Sequence, residues 1–333
     1  MNRCREKRPR RTARLFVGCI HEYQERCLER GRANVRRTYK VLRNCICGAF
    51  AWGVIASGRA RRARRRALSG DVVSAIYFHR PKKQLFVRCV RWLIENGYTF
   101  ISAAELLEIC YHGKTPPKGA VWLSFDDGCK ELCENVLPLV RQQGIPVTLF
   151  IPTGIVEGDG FFPWLHGRAS PGLNGAGASA HNGARDALTV AELKQVASRP
   201  EVTVGSHTVS HAVTTVLTEE RARLELGESK HALESWTHSD VKCFSYPEGR
   251  FDGRERAFLA EFGYSLAATT ENALIGRQTD PYLLPRFSVG DEIFFPEAIC
   301  NMVGVWRPAI DPLIHFLQRC RKICRSARWG EAS

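Results

Sequence analysis

From residue 71 onward the chain alternates between two patterns of hydrophobic and polar positions. Short runs are apolar and β-prone at nearly every position: VVSAIYF at 72–78, AVWLSF at 120–125, VTLFI at 147–151, VTVG at 202–205, KCFSY at 242–246, SLAAT at 265–269 and LLPRFSV at 283–289. Between them lie longer stretches whose apolar residues recur every three or four, the spacing of a one-sided helix. One such helix is predicted from near Pro81, with Leu85, Val90, Trp92 and Leu93. A second runs from Cys129 to Gln143, a third follows Thr189, and a fourth follows Thr218 and carries Leu224, Leu226 and Leu233. Thr189 and Thr218 stand where N-caps are wanted, but Thr218 is followed three residues later by Arg221, so it cannot form a full capping box. Strands alternating with helices imply a parallel sheet with helical crossovers. Strands apolar on both faces imply that both faces are buried. Seven strands in about 240 residues predict an α/β fold of (β/α)7 barrel type.

In parallel barrels the reactive groups gather just past the C-terminal ends of the strands. Here the polar residues fall at those ends. His79 follows the first strand, Asp126-Asp127-Gly128 the second, Ser206-His207 the fourth with His211 four residues on, and Pro247-Glu248-Gly249 the fifth. Arg286 lies within the seventh run, and Asp291 just past it suits an N-cap for the helix over EIFFPEA. The stretch 155–188 breaks the alternation with a Gly-, Ala-, Ser- and Asn-rich segment, read as a lid-like insertion. Phe161, Phe162 and Trp164 at its start suit either packing on the barrel rim or a stacking platform for a sugar.

The charge of the whole chain changes this picture less than its size implies. The net charge is +14, but residues 1–70 hold 20 Lys/Arg against 4 Glu, and the remainder holds 28 Lys/Arg against 30 Asp/Glu. The remainder, 71–333, is therefore close to neutral, and the body within it, 71–305, gives no reason to expect nucleic acid as a partner. Residues 1–70 read as a basic extension, helical or disordered, suited to an anionic membrane surface, and 306–333 as a basic tail. The apolar segment CICGAFAWGVIAS at 45–57 has the length of a signal-peptide core. However, it follows a long basic lead-in and runs into RARRARRR at 59–66, which opposes translocation. The 13 cysteines are irregularly spaced with no C-x-x-C pair, which argues against a zinc ribbon and for a reducing compartment. The expected location is cytoplasmic with possible membrane association; export to the periplasm or cell surface is the alternative.

The candidate chemistry rests on GSHTVSH at 205–211 with SFDDG at 124–128. Two histidines four apart can turn both rings to one cation. Successive residues at a strand end point different ways, so one of the two aspartates can join the histidines while the other faces an open coordination position. Two His and one carboxylate leave room for water and substrate, as in a catalytic site; Zn²⁺ is the first expectation among divalent metals. The second carboxylate would act as general base, kept ionised by a cation such as Arg286. His79 is the best-placed acid for the leaving nitrogen, and backbone N–H groups near Tyr246-Pro247 could face an oxyanion. The reaction class is metal-assisted hydrolysis of an amide or ester.

SFDDG at 124–128, SHTVSH at 206–211 and FSYPEGRFD at 244–252 resemble the motifs of the polysaccharide deacetylases, the NodB-homology or carbohydrate esterase family 4 group, over roughly 72–305. The resemblance implies a (β/α)7 barrel that removes acetyl groups from an N-acetylated glycan or its precursor. It implies Asp126 as base, Asp127, His207 and His211 as metal ligands, and a backbone oxyanion donor at Tyr246. The family's Arg-x-x-Pro-Tyr motif is replaced here by Ser245-Tyr246-Pro247-Glu248-Gly249. The Phe-His after the first strand and the Tyr-Pro-x-Gly form are similar to the circularly permuted poly-N-acetylglucosamine deacetylase branch. That similarity points to His79 as the acid and gives Arg286 the arginine role. Leu313-Ile314-His315 matches the letters of the family's other acid motif, which makes His315 the alternative. A barrel that has kept the shape but only binds glycan or protein is the other reading of the same residues.

Overall fold

All seven predicted strands form, and their register explains how the chain closes on itself. The computed structural model describes residues 38, 40–166, 185–312 and 314. The centre of the 155–188 insertion, most of the basic extension and the position of His315 lie outside the described residues. The chain divides into two units, Met1–Phe50 and Ala51–Ser333. Of the first, residues 40–50 are helical and expose Val41, Leu42 and Ile46. Among the described residues no single helix is long and apolar enough to cross a membrane.

The second unit carries the sheet. Its strands are β1 (Ser74–Phe78), β2 (Thr99–Phe100), β3 (Ala120–Phe125), β4 (Val147–Ile151), β5 (Val202–Ser206), β6 (Cys243–Ser245), β7 (Leu266–Ala268) and β8 (Phe287–Ser288). They pair in the order β7-β6-β5-β4-β3-β1-β8, with β2 beside β3. All these pairings are parallel. The ring is completed by the run before β8: Leu284 bridges Ala268 in parallel, its N–H donating to the Ala267 carbonyl at 2.8 Å. Phe287 then pairs with Ile76 of β1. One segment thus joins both edges, leaving a (β/α)7 barrel with β2 as an addition the alternation did not predict.

Alternation along each strand sorts the buried residues into two cores. Val121, Leu123 and Phe125 of β3 join an outer core with Ile76, Phe78, Leu149 and the helices. Ala75, Trp122, Phe150, Cys243 and Leu266 point into the barrel. Trp122 fills its lower part, lying edge-on to Phe150 and donating its indole N–H to the Thr148 hydroxyl at 2.9 Å, as a buried indole requires. Gly205 of β5 has no room for a side chain here: a Cβ would come 2.6 Å from the Phe150 ring. Above this layer the interior turns polar, with Ser124, Ser245 and Arg286 all fully buried.

The helices are α1 (Arg59–Ala67), α2 (Lys83–Glu95), α3 (Ala103–Tyr111), α4 (Leu132–Asn135), α5 (Leu137–Gln143), α6 (Thr153–Glu157), α7 (Val190–Ala197), α8 (Glu219–Thr237), α9 (Glu255–Glu261) and α10 (Phe295–Met302). Thr189 forms a full capping box with Glu192; the Thr218 side chain accepts only from the Arg221 N–H. Two expectations fail locally. The helix predicted over 129–143 is two short ones broken at Val136, where Pro138 lacks the N–H and crowds the turn before it. Asp291 does not cap a helix: α10 starts later, after Phe294, with Pro296 in its first turn. The Asp291 carboxylate instead accepts from the Arg80 N–H at 2.7 Å, which ties down the loop that carries His79.

Candidate active site

The tip of β3 sets the first half of the site. The Asp126 N–H still donates to the Phe78 carbonyl at 3.0 Å, extending the ladder by one residue. The chain then turns through Asp127 (φ 72) and Gly128 (φ 64). Aspartate is among the few residues that tolerate this left-handed region. At Gly128 a Cβ would come 2.7 Å from the Ile151 side chain. The reversal separates the two carboxylates, so that they enter different environments.

Asp126 faces Arg286. The guanidinium grips the carboxylate with two bonds, Nη1 to Oδ1 and Nη2 to Oδ2, both 2.8 Å. Its remaining donors reach the Ser124 hydroxyl at 3.0 Å, the Ser245 hydroxyl at 2.8 Å and the Thr269 carbonyl at 3.0 Å. All five N–H groups are therefore used, which is what a fully buried arginine needs. The Tyr77 ring lies against the guanidinium at 4.3 Å. Burial on its own raises the Asp126 pKa, but the adjacent guanidinium outweighs it and holds the carboxyl at about 2.

Asp127 faces the histidines. Its Oδ1 lies 3.4 Å from His211 Nε2 and 3.7 Å from His207 Nε2, and it has no hydrogen-bond partner. His207 Nδ1 is 2.7 Å from the Ser245 carbonyl. A carbonyl only accepts, so the ring proton sits on Nδ1 and Nε2 presents a lone pair towards Asp127. Burial pushes both imidazoles down to about 4, with the neighbouring His207 adding to the effect on His211; both rings are neutral near pH 7. One ligand atom from each of the three residues lies within 4.8 Å of the others. His207 Nε2 and the Asp127 oxygen are two buried acceptors turned towards one point, and they repel one another unless a proton or a cation lies between them. Two imidazole nitrogens and a carboxylate oxygen are a donor set that a divalent first-row metal accepts.

The histidine pair does not lie on a helix, and the strand tips involved are not neighbours, since β4 stands between β3 and β5. The 207–211 segment is a loop in which Thr208 (φ 65) and His211 (φ 58) are left-handed. For a β-branched threonine that is costly, on the order of 1–3 kcal/mol. The loop is held by α8. Glu225 is buried, and its carboxylate accepts from the N–H groups of Val209 and Ser210 and from the Ser210 hydroxyl, each at 2.9 Å. The Ser229 hydroxyl donates to the Thr208 carbonyl at 3.0 Å. Trp164 stacks on the His211 ring at 4.2 Å, and Phe162 is fully buried beneath it; Phe162 therefore packs. Sequence reasoning missed Glu225 and Ser229. The available signal was their position on the inward stripe of α8 with Ala222, Leu226 and Leu233, where a helix otherwise carries apolar residues.

His79 is half-buried beside Tyr77 and acts electrostatically on Asp126, His207 and His211, so it shares the barrel mouth with them. Tyr246 does not serve as the sequence led us to expect. Its backbone N–H donates to the Ala268 carbonyl at 3.0 Å within the β6–β7 ladder, and its buried phenol donates to the Tyr282 carbonyl at 3.1 Å. The N–H is thus engaged in the sheet rather than offered to an oxyanion.

Residues 113–267 match the family profile described as polysaccharide deacetylase, a span that contains Asp126, Asp127, His207 and His211 but neither His79 nor Arg286. The chain is 25% identical over 209 residues to YxkH of Bacillus subtilis (strain 168), covering 63% of this chain and 65% of that protein, slightly less than two thirds of its length. It is 23% identical over 238 residues to the poly-beta-1,6-N-acetyl-D-glucosamine N-deacetylase of Staphylococcus aureus (strain N315), covering 66% of this chain and 74% of the relative. Among solved structures, the Streptococcus pyogenes deacetylase PplD in complex with acetate superimposes with a TM-score of 0.55 at 19% identity, over 70% of this chain and 97% of that one. IcaB from Ammonifex degensii does so with a TM-score of 0.55 at 19% identity, over 71% and 97%. These structures share the barrel. The motif residues of the matched segment converge as described, and over residues 113–267 the chain is similar to the polysaccharide deacetylase family.

Proposed function

We propose that this protein removes acetyl groups from an N-acetylated amino-sugar glycan of the poly-N-acetylglucosamine type, by hydrolysis of the amide at a divalent metal, with Zn²⁺ as the first choice. One observation carries the reading: an ionised carboxylate, Asp126, is locked by Arg286 beside a separate buried set, Asp127, His207 and His211, whose ligand atoms lie within 4.8 Å of one another. A cation held by Asp127, His207 and His211 would supply a Lewis acid that polarises the acetyl carbonyl and acidifies water. The residues of the chain do the rest. Asp126 takes a proton from the attacking water; Arg286 keeps it ionised and fixes its orientation. His79, on a loop pinned by Asp291, gives a proton to the leaving nitrogen. The C–N bond breaks, and acetate and a free amine leave.

The substrate class follows the Staphylococcus aureus relative, which is named for poly-beta-1,6-N-acetyl-D-glucosamine. Acetate release from that polymer and from its short oligomers, measured before and after chelation, is the direct test. Release that stops on chelation and returns with Zn²⁺ is expected. Undiminished release after all divalent metal is removed would end the mechanism, and no release from any N-acetylated glycan would end the activity.

A further inference from the structure

At the opposite end of the barrel from these residues lies a cavity of about 1300 Å³, larger than the roughly 300–1,000 Å³ of an ordinary small-molecule site. Its lining includes Asp71 and Val72, which lead into β1, whereas the metal donors follow the strands' far ends. Arg59, Arg62 and Arg66 line it from one side of α1, spaced so that all three share a helix face, and Arg277 lines it from the loop between β7 and β8. All four are exposed, and among the described residues none has an ion-pair partner. Asp71 is the one carboxylate in the lining. The rest of the wall is largely apolar, with Leu274, Phe287, Val303 and Val305.

We propose that this cavity binds a phosphate-bearing lipid, with the guanidiniums holding the phosphate and the apolar wall taking the start of the hydrocarbon chain. Guanidinium groups suit phosphate oxygens through paired N–H donors. Apolar walls beside a cationic rim select an amphiphile over a simple anion. Two other features of the chain agree. Trp52, shortly before α1, is 61% exposed, as expected of a side chain that sits at a lipid interface. Residues 1–70 carry an excess of sixteen positive charges, which favours an anionic lipid surface.

The test uses the full chain and monomeric dihexanoyl phosphatidic acid, with glycerol 3-phosphate as the headgroup without chains, read by calorimetry. Saturable lipid binding is expected, with glycerol 3-phosphate at least tenfold weaker. The double variant Arg62→Gln/Arg66→Gln should weaken lipid binding by at least tenfold. Arg61→Gln/Arg65→Gln removes the same charge from exposed positions of α1 outside the cavity lining and should change it less than twofold. Equal loss in both variants would mean diffuse electrostatic attraction and overturn the site. Equal binding of lipid and headgroup would make it a soluble-anion site and overturn the lipid assignment. An absence of saturable binding in the wild type would overturn both. Deacetylation is read at other residues, so none of these outcomes depends on it.

Discussion

Asp126 and Asp127 are neighbours in sequence, both almost fully buried, and the protein treats them in opposite ways. Asp126 is neutralised from within: Arg286 meets both its oxygens, and every guanidinium proton has an acceptor. Asp127 is left beside the Nε2 atoms of two imidazoles, with its Oδ1 unpartnered. A buried carboxylate without a partner is expensive, and a cation shared with the two imidazoles would complete it. The half of the site around Asp126 is finished by the chain itself; on the proposed reading, the half around Asp127 would be finished by a metal. The left-handed turn through Asp127 and Gly128 creates that division.

The comparison breaks most sharply at Asp127. Asp127→Asn or His207→Ala should abolish metal retention and lower acetate release on the order of 10⁴-fold, the several kcal/mol that a Lewis acid supplies. Metal content and turnover should fall together. Asp126→Asn is the counterpart: release should fall about 10³-fold, within the range for a general base, while bound metal stays at one per chain. If Asp126→Asn also empties the metal site, the two carboxylates share one role and the division is wrong. Arg286→Met probes the other half through stability. It leaves a buried, unpaired carboxylate, so the unfolding free energy should drop by about 3 kcal/mol or more, seen as a lower denaturant midpoint. The double variant Arg286→Met/Asp126→Leu should recover much of that loss, because it removes the stranded charge as well.

How much of this was legible in the sequence depends on whether the signal was local. The strands were readable because burial on both faces forces continuous apolar runs, and the polar residues at their ends stood out against those runs. Asp127, His207 and His211 share the two motifs, and the fold brings them together. Arg286 was legible as a charge inside an apolar strand, an arrangement that demands a partner across the barrel. The break at Val136 was hidden because apolar periodicity runs through it, although Pro138 was a visible warning. Ser102 and Glu105 carry a full capping box that announces α3, and it went unread. Tyr246 failed for a different reason: whether a backbone N–H is free depends on the neighbouring strand, and no residue pattern records that Ala268 takes it. Asp291 failed similarly, since its partner, Arg80, lies 211 residues away in sequence.

Glu225 offers the finest test of the division, because it touches neither the substrate side nor a metal donor. Its carboxylate collects the Val209 and Ser210 N–H groups and the Ser210 hydroxyl, and so holds the left-handed backbone that aims His211. Glu225→Gln preserves size but offers one acceptor oxygen where the carboxylate offered two. The loop should keep its fold and lose some of its fixed geometry. Loss of a group that orients a metal ligand commonly costs about 10–100-fold in metal affinity; with one oxygen retained, about tenfold weaker Zn²⁺ binding is expected, measured by competition with a chromophoric chelator. Saturating metal should then restore most of the acetate release, because Asp126 and Arg286 are untouched. Should Zn²⁺ affinity be unchanged while the unfolding midpoint falls, Glu225 would be a stabiliser of α8 alone, and the strain in the 207–211 loop would be held by Ser229 and the Trp164 stack instead.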